Sequence, residues 1–110
     1  MRPGVDCRVY GRIRGIGREV AALVAAEAPF DTVEMEADGI SFEHEGRFVD
    51  AREFVARAVG FLPEGAEGDV DVIDNEAWTI TRYALRGGAF EVTRHGLDDV
   101  LEHTKGEGNF

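Results

Sequence analysis

Nucleophilic chemistry needs a Ser or Cys beside a general base, and this chain offers few candidates. Cys7 is the single cysteine and Ser41 the single serine. Cys7 falls on the apolar side of an alternating run, where cysteine acts as a small buried hydrophobe. Ser41 has no Gly-x-Ser-x-Gly elbow around it, so a catalytic triad is not expected. His44 is flanked by Glu43 and Glu45, His95 precedes Gly96, and His103 follows Asp99 by four residues. His44 and Glu45 can do acid–base work only if folding sets a pocket against them. His103 is expected to pair with Asp99 on a helix face. No two histidines have metal-ligand spacing and Cys7 is alone, so no metal site and no cofactor are expected.

Two runs resemble sites for charged ligands. Gly15-Ile16-Gly17-Arg18 lies between a candidate strand and a candidate helix, as half of a phosphate-binding turn would, with Glu36 near the position of a ribose-binding acid. The third glycine is replaced by Val20 and the strand before it is half arginine, so a plain strand-to-helix turn is expected. A small anion held by Arg14, Arg18 and the helix start is the lesser alternative. Asp69, Asp71, Asp74 and Glu76 cluster as calcium ligands do, but Val70, Val72 and Ile73 take positions that a calcium loop keeps polar. A solvated strand edge is the expected reading.

The remaining chemistry is that of contact. Arg8, Arg12 and Arg14 alternate with Tyr10 between them, a pattern able to grip single-stranded nucleic acid. With 12 basic against 22 acidic residues and a formal charge of −10, pairing with Glu34, Glu36 or Glu43 across a sheet is the better expectation. In the run from Trp78 to Tyr83, Thr79, Thr81 and Tyr83 share one face and Trp78, Ile80 and Arg82 the other. That Tyr/Thr/Arg composition suits a protein interface. Tyr10, Arg12, Trp78, Arg82 and Tyr83 are therefore the candidate ligand or interface residues.

Period-two alternation marks Cys7 to Arg14 as a strand with Cys7, Val9, Gly11 and Ile13 inward. Ile16 to Ala28 reads as a helix with Ile16, Val20, Leu23, Val24 and Glu27 on one stripe, stopped by Pro29. Asp38-Gly39 between two alternating runs predicts a hairpin. Asp50 and Glu53 have capping-box spacing, Val49 and Phe54 staple spacing, and Phe54, Val55, Ala58, Val59 and Leu62 form an apolar stripe. After the loop at residues 63–68, three runs at Asp69–Ile73, Ala77–Leu85 and Ala89–Arg94 form a meander. A short helix from Leu97 to Thr104 turns Leu97, Val100 and Leu101 inward, and residues 105–110 read as a frayed tail.

The predicted order is β-α-β-β-α-β-β-β-α in one α+β domain over 1–110. It has a mainly antiparallel five- or six-stranded sheet with two principal helices packed on one face. The expected core is Val9, Ile13, Val20, Leu23, Val24, Val33, Met35, Ile40, Phe42, Phe54, Val55, Val59, Val72, Trp78, Ile80, Phe90 and Val92. A chain of 110 residues is long enough for such a core without metal or disulfide staples. A single cysteine, with neither a membrane-length apolar run nor a signal-like start, points to a cytoplasmic setting. Arginine in place of all but one lysine suggests a GC-rich bacterial gene. The expected function is non-catalytic contact with another protein or a second copy, without direct nucleic-acid or membrane binding. The alternatives are a small-molecule-binding domain or small enzyme with a sheet–helix pocket, and an acidic nucleic-acid mimic. The mimic is motivated by the seven acids from Asp31 to Asp50 together with the 69–76 run.

Overall fold

A computed structural model describes residues 6–96. Strands β1 (Cys7–Arg14), β2 (Thr32–Glu36), β3 (Gly39–Gly46), β4 (Glu67–Asp74), β5 (Thr79–Arg86) and β6 (Ala89–Gly96) form one sheet in the order β2-β3-β1-β4-β5-β6. Every neighbouring pair is antiparallel. Helix α1 (Arg18–Glu27) joins β1 to β2, and α2 (Ala51–Ala58), extended by a 3-10 turn at Val59–Phe61, lies between β3 and β4. Both connections skip one strand, so the first six elements are two interlocked split β-α-β units. The β5–β6 hairpin extends the sheet beyond them. The α+β class and element order agree with the sequence reading over these residues; the expected helix Leu97–Thr104 and the tail 105–110 lie outside them. Among the described residues no helix is long and apolar enough to cross a membrane.

The strongest local signal behaves as its chemistry requires. Asp50 caps α2, its Oδ1 accepting the Glu53 N–H at 3.0 Å. The reciprocal half of the capping box does not form, because Glu53 turns outward to Arg57 at 2.8 Å. Ala51, Phe54, Val55 and Ala58 make the buried stripe, at helical spacing. Helix α1 differs from expectation. It buries Ala21 and Val24, with Ala25 and Ala28 packed beside them, and leaves Leu23 exposed. Small residues at i, i+3, i+4 and i+7 face inward, and Leu23 falls outside that stripe. The helix ends at Ala28, whose extended backbone suits the residue before Pro29.

The core is centred on three rings. Phe30 and Phe42 stack at 4.9 Å, and Phe54 meets both edge-on at 4.9 and 5.2 Å. Gly11, in the middle of the central strand, makes room for this cluster, since a Cβ there would stand 2.2 Å from Cε2 of Phe42.

Other expected core residues are corrected by the sheet's edges and turns. Met35 is exposed on the short edge strand β2, and Val92 on the other edge strand, β6. Trp78 is not in a strand at all. Asp74 Oδ1 accepts the N–H groups of Glu76 and Ala77, both at 2.9 Å, and the Trp78 N–H donates to the Asp74 carbonyl at 2.8 Å. The resulting turn leaves Trp78 at φ 61 and 53% exposed. The hairpin loop is Ala37-Asp38, one residue earlier than expected, because Glu36 pairs with Gly39. The acidic run is not a sheet edge either: β4 lies between β1 and β5.

Candidate functional site

Both helices sit on one face of the sheet, and the described residues leave the other face bare. Alternation sends Arg8, Tyr10, Arg12 and Arg14 of β1 to that face while Cys7, Val9 and Ile13 enter the core. The register places Tyr10 between Glu43 on β3 and Asp71 on β4, and Arg12 between Ser41 and Asp69. Arg82 on β5 stands opposite Asp71 and binds it through both nitrogens, Nε to Oδ1 at 2.7 Å and Nη2 to Oδ2 at 2.9 Å. Those hydrogen bonds hold the guanidinium protonated even more firmly than usual. Arg12 reaches past β3 to Glu36 at 3.5 Å, and Arg8 pairs with Glu45 at 3.0 Å. These side chains border an open concavity of about 550 Å³.

Three of the expected site residues, Tyr10, Arg12 and Arg82, meet in this concavity. The other two do not. Trp78 sits on the β4–β5 turn, and Tyr83 is on the opposite face, 7% exposed, with its ring 6.0 Å from that of Phe90. Burial raises the Tyr83 hydroxyl, partly offset by Arg52 and Arg94. The sequence reading missed Asp71 as the partner of Arg82. The only signal was the placement of both in alternating runs on either side of a turn, and it becomes usable once the turn length is known.

The chemistry of this face is recognition by charge and one aromatic ring. No cysteine or histidine lines the concavity, and Ser41 there has no base bonded to it among the described residues. Cys7 and His44 instead converge on the helix side. The Arg47 carbonyl accepts from His44 Nε2 at 2.7 Å and from the Cys7 thiol at 3.5 Å. Asp31 Oδ1 lies 3.4 Å from His44 Nδ1, close enough for an ion pair yet without hydrogen-bond alignment. The set resembles a Cys–His–Asp nucleophile, but the thiol donates to a carbonyl rather than to the imidazole. It is also fully buried, and burial, with Asp74 and Asp6, pushes it up and away from the thiolate. Nucleophilic attack is not available to it.

Two donors of the glycine turn are engaged. The N–H groups of Gly15 and Ile16 both point to the Asp38 carbonyl, at 2.9 and 3.1 Å. The β2–β3 loop thus takes up these two donors of the turn. Among the described residues no three His, Cys, Asp or Glu side chains are grouped to hold a metal ion.

Comparison with protein-family models, curated proteins and solved structures finds no match to this chain.

Proposed function

We propose that this chain is a non-catalytic binding protein whose bare sheet face contacts another protein or a second copy of itself. The observation that carries the reading is Tyr10, 42% exposed on the strand at the middle of the sheet. The Arg12–Glu36 and Arg82–Asp71 pairs share its concavity. Tyr and Arg dominate the energetic centres of interfaces, and a fork already anchored by Asp71 loses little further freedom on docking. Six strands of this length present roughly 600 Å² in projection, near the ~800 Å² one partner gives to a standard interface. A reducing bacterial cytoplasm is the setting that suits a free buried thiol. The test is capture from native lysate on tagged protein at low and moderate salt, with light scattering of the purified chain over a concentration series. A stoichiometric partner or a concentration-dependent dimer supports the reading; a monomer that captures nothing contradicts it.

A small molecule in the concavity is the second reading, favoured by a volume inside the usual ~300–1,000 Å³ range. Its charged walls and wide mouth differ from the enclosed apolar pockets that bind metabolites. A thermal-shift panel of metabolites separates the two. The nucleic-acid mimic draws less support, because Arg8, Arg12, Arg14 and Arg82 interrupt the acids of this face.

A further inference from the structure

We propose that His44 is a proton-operated clasp, fastening the α1–β2 connection to the β3–α2 connection when its ring takes up a second proton. The imidazole is 8% exposed and sits between two acceptors. The Arg47 carbonyl, 2.7 Å from Nε2, can only accept, so the single proton of a neutral ring is on Nε2. Nδ1 then turns a lone pair toward Asp31 Oδ1 at 3.4 Å, buried and without a hydrogen-bond partner. Two acceptors facing each other gain nothing, and an orphaned buried nitrogen costs stability. A proton on Nδ1 converts the same contact into a charge-assisted hydrogen bond.

The parts for that step are in place. Asp31 lies one residue beyond the Thr32–Glu43 pair, beside His44 in register. Its side chain is 60% exposed, so the carboxylate connects the buried nitrogen to solvent and can relay the proton to it. Asp31 Oδ2 accepts the Glu45 N–H at 3.3 Å, a bond loose enough for the carboxylate to rotate Oδ1 into line. Phe30, next to Asp31, stacks on Phe42 and meets Phe54 edge-on. Closing the clasp therefore pins the connection that carries one ring of the aromatic core. Through the Arg47 carbonyl it ties that connection to the segment leading into α2.

The other ionisable groups around the ring have other partners. From β1, the Cys7 thiol donates to the same Arg47 carbonyl, and burial keeps its proton on. On β3 itself, Glu43 and Glu45 alternate to the opposite face, where Glu45 pairs with Arg8. On the helices, Glu27 and Glu53 both pair with Arg57, and Asp50 caps α2. Asp31 is the carboxylate set against Nδ1. Burial opposes a charged ring and Asp31 favours one, so the test isolates the Asp31 contact.

The experiment is urea denaturation of wild type and Asp31→Asn at about pH 8 and about pH 5.5, either side of the ordinary histidine range and above that of carboxylates. Asparagine keeps an oxygen for the Glu45 N–H and loses the charge. The clasp forms with the proton, so its stabilisation is present in acid and fades as pH rises through the histidine range. The gap between wild type and Asp31→Asn should widen in acid by about threefold or more in the folding equilibrium constant. In a His44→Gln background the widening should vanish. Where His44→Gln does not fold, heteronuclear NMR of the wild-type ring decides: at about pH 5.5 His44 should carry protons on both nitrogens, with a slowly exchanging Nδ1–H. A gap equal at both pH values, or a His44 ring still neutral in acid, would overturn the proposal. The ring lies on the core side of β3, so its failure leaves the reading of the Tyr10 face untouched.

Discussion

Arg82 and Asp71 face each other across β5 and β4 and are joined by two parallel hydrogen bonds of 2.7 and 2.9 Å. The fork fixes a guanidinium on a surface where an unpaired arginine would sample many rotamers. The Arg82 side chain is more than half exposed, so the pair adds little to folding. A double-mutant cycle with Arg82→Ala and Asp71→Ala, read by urea denaturation, should give a coupling energy of about 1 kcal/mol or less. A coupling above about 2 kcal/mol would mean that the fork is a stability element rather than a surface positioned for contact.

Gly11→Ala tests the aromatic centre. The added carbon would meet the Phe42 ring at 2.2 Å, and Phe42 is itself held by Phe30 and Phe54. The ring has nowhere to go without disturbing both neighbours, so a loss of about 1–3 kcal/mol is expected. An unchanged urea midpoint would show that the ring can move aside.

Removing the α2 cap should cost less. Asp50→Ala leaves the Glu53 N–H without its acceptor and should lower stability by about 1 kcal/mol, whereas Asp50→Ser or Asp50→Asn should restore most of it. Loss in all three variants would place the role of Asp50 elsewhere.

Stability should also fall in alkali. Burial raises the Cys7 thiol above its ordinary 9.0 and the Tyr83 hydroxyl above its ordinary 10.0. The folded state therefore keeps these protons after the unfolded chain has begun to lose them. A raised folded value gives stability that is whole below the unfolded value and is lost as pH rises through the folded one. Urea midpoints should fall from about pH 9 upward, and Cys7→Ala should flatten the first part of the fall. A flat profile to about pH 11 would contradict this.

Much of the fold was legible because several signals agreed locally. Strand β1 alternates outward Arg8, Tyr10, Arg12 and Arg14 with inward Cys7, Val9, Gly11 and Ile13, and α2 carries both its cap and its apolar stripe. Strand β5 was harder for a physical reason. Its two faces both offer an aromatic, Trp78 with Ile80 or Tyr83 with Thr81, so hydrophobicity does not choose between them. Asp74 decides, by closing a turn that removes Trp78 from the strand and leaves Tyr83 opposite the buried Val70. In α1 Ala21, Val24 and Ala25, not Leu23, face inward, since close approach rewards small side chains that a hydrophobicity pattern undervalues. The candidate site was legible in Tyr10, Arg12 and Arg82. The pairing with Asp71 required the register.

The most direct test compares two exposed side chains on opposite faces, Tyr10 on the bare sheet and Leu23 on α1. Partner capture and self-association are measured for wild type, Tyr10→Ala and Leu23→Ala, with melting temperature as the control for folding. The expected result is that Tyr10→Ala weakens binding about tenfold or more, the ~1.4 kcal/mol or greater of an interface centre, while Leu23→Ala binds as wild type. Equal binding by Tyr10→Ala and wild type, or no binding by wild type at any concentration, would contradict the account.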